Sequence, residues 1–329
     1  MSSSPRLAGA PANFAAARGR ERHDRRETGE RLSGLTLCVT DTEPARRVGR
    51  PRLSLGQPTT RRWSLEEDFA AVRQFKLDAI GLWKGKFGGK NRRRVARAVR
   101  ASGVAVSSLG WVGGFTHGDA FERRQAFFEA KDAVLLAAGV EAKCVCVATG
   151  GPGGFTERHA TDALVPETLR RLATFAAEFH VRLAVQPLTG RNGRNSVVRD
   201  VFSTLDLLDR VDRPNVGMVL PTALMAADPS LVNRVGEFAR RVEVVKLSDC
   251  RTGRGPGDPT RDGRMPGDGS LPLATLVRRL EDAGYAGDYE LDVWNRRRWQ
   301  GADHALDLSR ARSRFDALLA DPADDPFAA

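Results

Sequence analysis

Short apolar runs alternate with longer amphipathic segments along most of the chain, from about residue 52 onward. The runs are rich in Val, Leu, Ile and Ala and show no strict polar alternation, which is typical of strands buried on both faces of a parallel sheet. We predict eight strands, over residues 53–56, 79–83, 104–109, 144–148, 182–186, 216–220, 242–247 and 289–293.

The segments between these strands predict helices, over residues 64–75, 121–138, 157–179, 201–211, 231–241 and 272–283. The first helix begins at Ser64, and Glu67 three residues later completes a capping box. Eight strand–helix units within residues 51–320 predict an α/β protein with a single (βα)8 TIM barrel. A doubly wound open sheet is the alternative, because periodicity does not show whether a sheet closes.

The first 50 residues differ from the rest of the chain. They are rich in Ser and Arg and contain few large apolar side chains, so residues 1–50 are predicted to be a disordered basic arm. The barrel is expected over residues 51–320, followed by a tail over residues 321–329. The apolar stretch at residues 7–17 is interrupted by Gly, Pro and Asn, so no secretory signal is predicted.

Cysteine usage and hydropathy favour the cytoplasm. Cys38, Cys144, Cys146 and Cys250 form no CxxC spacing and no disulfide-dense pattern, which indicates a reducing compartment. No apolar run approaches the ~20 residues that a membrane-spanning helix needs. We therefore expect a cytoplasmic protein with no membrane partner.

The 329-residue chain is basic, with 52 Lys and Arg against 41 Asp and Glu and a net charge of +11. A nucleic-acid site gathers such charge on one face and interleaves it with stacking aromatics. Here the arginines are scattered and there are only two tyrosines. We therefore do not expect a nucleic-acid partner, and the sequence does not indicate an oligomeric state.

Polar side chains stand at the carboxyl ends of the later predicted strands, where a TIM barrel holds its chemistry. Gln186 ends strand five, Lys246 lies on the apolar strand seven, and Asp249 follows it. Glu290 and Asp292 lie on strand eight. These five residues are candidates for a functional site.

Loops on the same face supply further candidates. A glycine-rich turn over residues 110–115 contains Trp111 and would let a ligand approach the backbone, although an ordinary tight turn has the same composition. Arg251 and Arg264 follow strand seven, and Arg191 follows strand five. These arginines could clamp a phosphate or carboxylate, or form solvated loops in an Arg-rich chain.

Seven motifs in sequence order carry a resemblance to a known family. They are RWSLEED (62–68), IGLW (80–83), GWVGGFT (110–116), LAVQP (183–187), LSD (247–249), PGDG (266–269) and GYAGDYELD (284–292). On these residues the chain resembles the sugar phosphate isomerase/epimerase family with a xylose isomerase-like TIM barrel. The resemblance implies a (βα)8 fold and a pocket for a sugar-like polyol at the carboxyl ends of the strands.

The resemblance also implies a divalent metal, held by Glu on strand five, Asp after strand six, His on strand seven and Glu on strand eight. At these positions the chain has Gln186, the segment PTAL (221–224), Lys246 and Asp292. One carboxylate and one amide are too few ligands for a divalent ion. We therefore expect no metal and no other cofactor, and a loss or alteration of metal-dependent isomerase chemistry.

Lys246 has two interpretations. As a counter-ion, its ammonium would replace the missing cation and neutralise Asp292, its expected neighbour, and Glu290. As a catalytic group, it would act as a base or form a Schiff base with a carbonyl substrate, its pKa lowered by burial. The sequence does not distinguish these two roles.

Three functions follow from these alternatives. They are a sugar isomerase or epimerase, a metal-free pseudoenzyme that binds a sugar or sugar phosphate as a sensor or scaffold, and an enzyme with lysine chemistry. The pseudoenzyme is slightly favoured, because four substitutions at one metal site are hard to reconcile with the same chemistry. The candidate catalytic residues are Lys246, Asp292 and Glu290, and the candidate substrate-binding residues are Gln186, Trp111, Asp249, Arg251, Arg264 and Arg191.

Overall fold

A closed barrel of parallel strands forms the centre of the protein. The computed structural model describes residues 50–87, 91–151, 158–189, 195–251, 263–301 and 303–319, so the predicted tail and all but the last residue of the predicted arm lie outside the described residues. Within these ranges eight strands close the barrel: β1 (Arg52–Gly56), β2 (Ala79–Trp83), β3 (Val106–Gly113), β4 (Cys144–Ala148), β5 (Arg182–Val185), β6 (Val216–Pro221), β7 (Val242–Leu247) and β8 (Asp288–Leu291). Because β8 pairs in parallel with β1, the open-sheet alternative is excluded.

All eight predicted strands are present, and β3 differs most from its prediction. It runs to Gly113, four residues beyond the predicted end, because its ladder with β4 continues through Val112 and Gly113. That ladder shifts register between Leu109 and Val112, which inserts one extra residue in β3. Such a bulge re-aims nearby side chains, and here Trp111 lies within it at the end of the strand rather than in a turn.

Helices cover the outside of the barrel in the described ranges. They are α1 (Leu65–Gln74), α2 (Arg92–Ser102), α3 (Ala120–Gly139), α4 (Arg158–Ala177), α5 (Val201–Val211), α6 (Leu273–Asp282), α7 (Arg298–Gly301) and α8 (His304–Leu319). The capping box at α1 is confirmed: the Glu67 N–H donates to Ser64 Oγ at 3.1 Å, and the Ser64 N–H donates to Glu67 Oε2 at 2.6 Å. No described helix has the length and hydropathy to cross a membrane.

The helix predicted over residues 231–241 is wrong in type. Two 3₁₀ segments, Pro229–Glu237 and Ala239–Arg241, occupy this region, and a third, Thr222–Ala226, follows β6 directly. Val232, Asn233, Val235 and Gly236 lie in the region and have low helix propensity. Asp228 still caps the longer segment, with Pro229 at its first turn.

The barrel interior holds small apolar side chains and a column of carboxylates. The apolar cluster inside the strands is Cys144, Cys146, Ala184, Val219 and Val244, with Trp111 packed against it. Alternate residues of a strand share a face, so Asp288 and Glu290 lie on the inner face of β8, and Asp292, the residue directly after the strand, continues the row. Tyr289 and Leu291 point outward into the larger core beneath the helices. Strand β8 and the residue after it therefore place three carboxylates in a row inside the barrel.

Candidate functional site

A cavity of about 320 Å³ lies at the carboxyl ends of β5 to β8. Gln186 follows β5, Pro221 ends β6, Lys246 is the penultimate residue of β7 and Asp292 follows β8, and all four line the cavity. Barrel enzymes hold their active sites at this face, and small-molecule sites have volumes of about 300–1,000 Å³. The cavity is therefore the candidate site, and Trp111, Asp249 and Arg251 also line it.

An ion pair between Lys246 and Glu290 lies at the base of this site. The two residues are register partners on β7 and β8, and Lys246 Nζ contacts Glu290 Oε2. Lys246 Nζ also donates to Ser108 Oγ at 3.3 Å. The side chain of Lys246 is 8% exposed and that of Glu290 is fully buried. The expected pairing with Asp292 is wrong, because the register places Glu290 opposite Lys246 and Asp292 two residues nearer the mouth.

Two serines complete the surroundings of Glu290. Ser107 Oγ donates to Glu290 Oε1 at 2.9 Å and Ser108 Oγ donates to the same oxygen at 2.5 Å. Consecutive residues of a regular strand face opposite sides, but the register of β2 and β3 shifts between Ile80 and Gly81, so both serines reach the interior. Gly81 leaves the space: a Cβ there would lie 2.1 Å from Glu290 Oε2.

The electrostatics of this pair keep Lys246 protonated. Burial by itself would lower the pKa of Lys246, but the negative charge of Glu290, with smaller contributions from Cys146 and Asp292, raises that pKa above its ordinary value. A nucleophilic or basic lysine must be a neutral amine. The contacts therefore favour a fixed counter-ion and count against a Schiff base at this position.

Asp292 occupies a different environment at the cavity wall. Its Oδ1 accepts a hydrogen bond from Trp294 Nε1 at 3.1 Å, and the residue is 6% exposed. Burial raises the pKa of Asp292 to about 6, against the opposing effect of the Lys246 ammonium and with a further increase from Glu290. A carboxyl group with such a pKa can donate or accept a proton near neutral pH, which is characteristic of functional sites.

Gln186 and Trp111 form a second polar contact on the wall. Trp111 Nε1 donates to Gln186 Oε1, which fixes the orientation of the amide. The Trp111 ring stacks on Trp294 with centroids 5.2 Å apart and planes 28° from parallel. Trp83 meets Trp294 edge-on at 5.6 Å. The mouth of the barrel therefore has an aromatic side that joins β2, β3 and the segment after β8.

Asp249 lines the cavity, but its carboxylate has protein partners. It accepts hydrogen bonds from the backbone N–H groups of Cys250, Gly267, Gly269 and Leu271, at 2.8 to 3.1 Å. These bonds hold the chain after β7 against the residues that lead into α6. The contacts support a role for Asp249 in shaping the loop, and direct contact with a ligand stays a prediction.

The three predicted arginines have different positions. Arg251 is exposed and lines the cavity. Arg264 pairs with Asp249 through backbone hydrogen bonds of 2.9 Å in both directions. Arg191 lies outside the described residues. Binding of an anion by these side chains therefore stays a prediction. Of the two that the structure describes, Arg251 is the one that lines the cavity.

Sequence reasoning missed several residues of the site. Trp294 and Ser248 line the cavity, and Ser107 donates a hydrogen bond to Glu290. Trp294 could have been found, because it directly follows strand eight. Ser107 could not, because a regular strand would turn its side chain away from the interior.

The described residues do not fit a divalent metal. The strand-seven position is an ammonium paired with Glu290, the Gln186 oxygen accepts from Trp111, and Pro221 and Leu224 have no side-chain donor. A cation at this place would meet the Lys246 ammonium where the resemblance implies a metal ligand. Among the described residues, no three His, Cys, Asp or Glu side chains converge to hold a metal ion.

Lys246→Met should destabilise the fold by roughly 3 to 5 kcal/mol, because it leaves the Glu290 carboxylate buried without its cation. The double variant Lys246→Met/Glu290→Gln should recover part of this loss, since it removes both charges. The free energy of unfolding from urea titrations of the four proteins gives the coupling between the two residues.

Asp288 provides the matched control for this cycle. It lies on the same strand but pairs with Arg52 Nε at 2.9 Å and Lys143 Nζ at 2.7 Å. Asp288→Asn combined with Lys246→Met should therefore be close to additive. Additive changes for Lys246 with Glu290 would show that the two groups are not in direct contact.

Asp292→Asn should stabilise the protein at pH 8 by roughly 2 to 3 kcal/mol. Asp292 has a pKa of about 6 in the folded state against 3.8 ordinarily, so the folded state binds its proton more tightly. Stability is therefore lost as pH rises from about 4 to 6, and the cost persists above that window. Thermal unfolding of the variant and the wild type at pH 4 and pH 8 measures the difference in their stability, which should be small at pH 4. A variant at pH 8 no more stable than the wild type would contradict this interpretation.

Comparison with known proteins identifies relatives with the same fold. Fructoselysine 3-epimerase of Shigella flexneri is 24% identical over 281 residues, which cover 80% of this chain and 96% of that protein. Protein SMc04130 of Sinorhizobium meliloti has a TM-score of 0.71 at 24% identity, over 81% of this chain and 98% of that chain. D-psicose 3-epimerase of Clostridium cellulolyticum, solved with D-tagatose, has a TM-score of 0.66 at 14% identity, over 81% of this chain and 98% of that chain.

The family model for xylose isomerase-like TIM barrels matches residues 69–313. This range begins in α1, ends in α8 and includes the whole candidate site. Together with the closed eight-stranded barrel, the match shows the family. The chain belongs to the xylose isomerase-like TIM barrel family, among whose members are sugar epimerases.

Proposed function

We propose that this protein binds a sugar, sugar phosphate or related polyol in the cavity at the carboxyl ends of the strands, without the divalent metal used by the isomerases it resembles. The observation that carries the proposal is the Lys246–Glu290 ion pair, which stands where a metal ligand would be needed. The protein is then a metal-free ligand-binding relative of sugar isomerases, acting as a sensor or scaffold.

The polar side chains at the base of the cavity suit a polyol. Gln186, Lys246, Ser248 and Asp292 all line it and supply hydrogen-bond donors and acceptors from four neighbouring points. Small-molecule sites typically combine an apolar lining with a few such groups. Arg251 at the exposed edge adds a positive charge that suits a phosphate. The names of the relatives support the same class of ligand, since they act on fructoselysine and psicose.

The residues support binding more strongly than isomerisation. The resemblance implies two carboxylates that move a proton between carbon atoms, but Gln186 replaces one of them and an amide does not accept that proton. Lys246 supplies a fixed positive charge that can orient a carbonyl or hydroxyl oxygen. Asp292 can exchange a proton with a ligand hydroxyl.

A second candidate is an isomerase with altered, metal-independent chemistry. The observation that favours it is the pKa of Asp292, which is raised to about 6 by burial. One carboxyl group with this pKa can remove and return a proton near neutral pH. A third candidate, lysine-dependent carbonyl chemistry, has less support because Lys246 remains charged beside Glu290.

Two buried cysteines support the compartment predicted from the sequence. Cys144 and Cys146 are free thiols, and both are buried. Proteins of reducing compartments typically keep their cysteines in this state. We therefore propose a cytoplasmic site of action.

Calorimetric titration of protein dialysed against EDTA tests the proposal, with D-fructose, D-tagatose, D-psicose and their 6-phosphates as probes. We expect at least one probe to bind with an affinity that added Mn²⁺ does not change. Gln186→Leu should weaken this binding at least tenfold, whereas Gln125→Leu, on the exposed face of α3, should not.

Product analysis in the same samples separates the candidate functions. Unchanged probes support the metal-free binding protein, and interconversion without metal supports the altered isomerase. Binding or turnover that requires Mn²⁺ would contradict both, and a probe trapped covalently on Lys246 by borohydride would restore lysine chemistry.

A further inference from the structure

The lining of the cavity is divided into a polar half and an apolar half. We propose that it selects a ring sugar that carries an apolar substituent, such as an aryl or alkyl aglycone, over the same sugar without one. The inference rests on the proposed function, because the sugar occupies the polar half. It adds the chemical class of the group attached to the sugar.

The polar half lies against the strands. Gln186, Lys246 and Asp292 belong to β5, β7 and β8 or to the residue directly after them, and each is less than a tenth exposed. These positions are fixed by the sheet. A ligand must therefore direct its hydroxyl groups toward this side of the cavity.

The apolar half comes from the segments after β5 and β6. The apolar residues that line the cavity here are Pro187 and Leu188 after β5, Pro221 at the end of β6, and Ala223, Leu224, Ala226 and Ala227 after β6. None of these side chains has a hydrogen-bonding group. A hydroxyl group of a bare sugar placed here would lose its water partners without replacement, which is costly.

The hydroxyl group inside the apolar half is already hydrogen-bonded to the protein. Thr222 lies in the middle of this half, and its Oγ1 donates to the Ser248 carbonyl at 2.6 Å and accepts from the Ser248 N–H at 2.9 Å. Leu224 is 3% exposed and belongs to the main core. Among the polar neighbours that line the cavity, Asn195 and Arg251 are exposed and Thr189 is partly exposed. Thr222 therefore anchors the segment after β6 to the end of β7, and its hydroxyl group is not available to a ligand.

Two tryptophans connect the halves. Trp111 is bonded to Gln186 on the polar side, and Trp294 is bonded to Asp292. Their rings stack on each other and both line the cavity. Aromatic faces bury large apolar areas, which suits the C–H face of a sugar ring. A ring bound here would have one end among polar groups and the other toward Leu224.

Paired glycosides test the inference directly. Methyl and phenyl β-glycosides of glucose, galactose, mannose and xylose differ only in the aglycone, and calorimetry gives the affinity of each. For at least one sugar, we expect the phenyl glycoside to bind tenfold or more tightly than the methyl glycoside, a difference of about 1.4 kcal/mol. The gain comes from removing the ring from water against the apolar half.

Variants of the apolar half test whether it is the source of the selectivity for the phenyl group. Ala223→Asn and Ala226→Asn change partly exposed positions and should reduce the phenyl-to-methyl ratio to less than threefold. Ala98→Asn, at a partly exposed position on α2, is the matched control and should keep the wild-type ratio. Circular dichroism confirms that each variant is folded.

The outcomes distinguish this inference from the proposed function. Equal affinities for methyl and phenyl glycosides would overturn the inference and leave sugar binding intact. Binding of phenol with no gain from an attached sugar, or no binding by any glycoside, would also overturn the inference, and the titrations with free sugars and sugar phosphates then decide the proposed function. A tenfold phenyl-to-methyl ratio that the variants of the apolar half do not change would also overturn the inference, because the selectivity would then arise elsewhere.

Discussion

The ion pair between Lys246 and Glu290 is the interaction on which the site depends. Two charges buried in the middle of a barrel are costly unless both are paired and hydrogen-bonded. Here the ammonium meets one carboxylate oxygen, and the hydroxyl groups of Ser107 and Ser108 meet the other. Gly81 leaves the room that this arrangement needs. Four strands therefore contribute to one satisfied pair at the base of the cavity.

The pair explains why three carboxylates on one strand face have different properties. Asp288, at the amino end of β8, is held by Arg52 and Lys143. Glu290 is held by Lys246. Asp292 has no ion-pair partner among the described residues, and the charge of Lys246 only partly offsets the effect of burial, which raises the pKa of Asp292 to about 6. Asp288 and Glu290 are therefore held in ion pairs inside the protein, whereas Asp292, nearest the mouth, is suited to contact a ligand.

The same pair is the main support for the proposal that this protein lacks the metal chemistry implied by its resemblance. A divalent ion needs several oxygen or nitrogen donors, and an ammonium at a ligand position is a charge of the wrong sign. The chain keeps the barrel and the cavity but carries Gln186, Leu224 and Lys246 where donors would be required. The loss of polar groups after β6 also creates the apolar half of the cavity.

Much of the fold follows from the sequence, because the pattern of buried parallel strands is strong. All eight strands were predicted, and closure required the structure, since only the pairing of β8 with β1 shows it. Lys246, Asp292, Gln186 and Trp111 were predicted to lie at one site because strand ends converge in a barrel.

The remaining features depend on register and on tertiary contacts. Glu290 rather than Asp292 pairs with Lys246 because of how β7 and β8 align, which the sequence does not specify. Ser107 faces inward only because of a bulge. Residues 231–241 have an amphipathic pattern, but their low propensity yields 3₁₀ segments instead of a helix.

The most direct test of this account is a crystal structure of the protein crystallised with excess Mn²⁺, in which an anomalous difference map locates any bound metal. We predict no anomalous peak in the cavity, with Lys246 Nζ in contact with the Glu290 carboxylate. A peak bonded to Gln186 and Asp292, with Lys246 displaced from Glu290, would contradict the account and restore a metal-dependent enzyme.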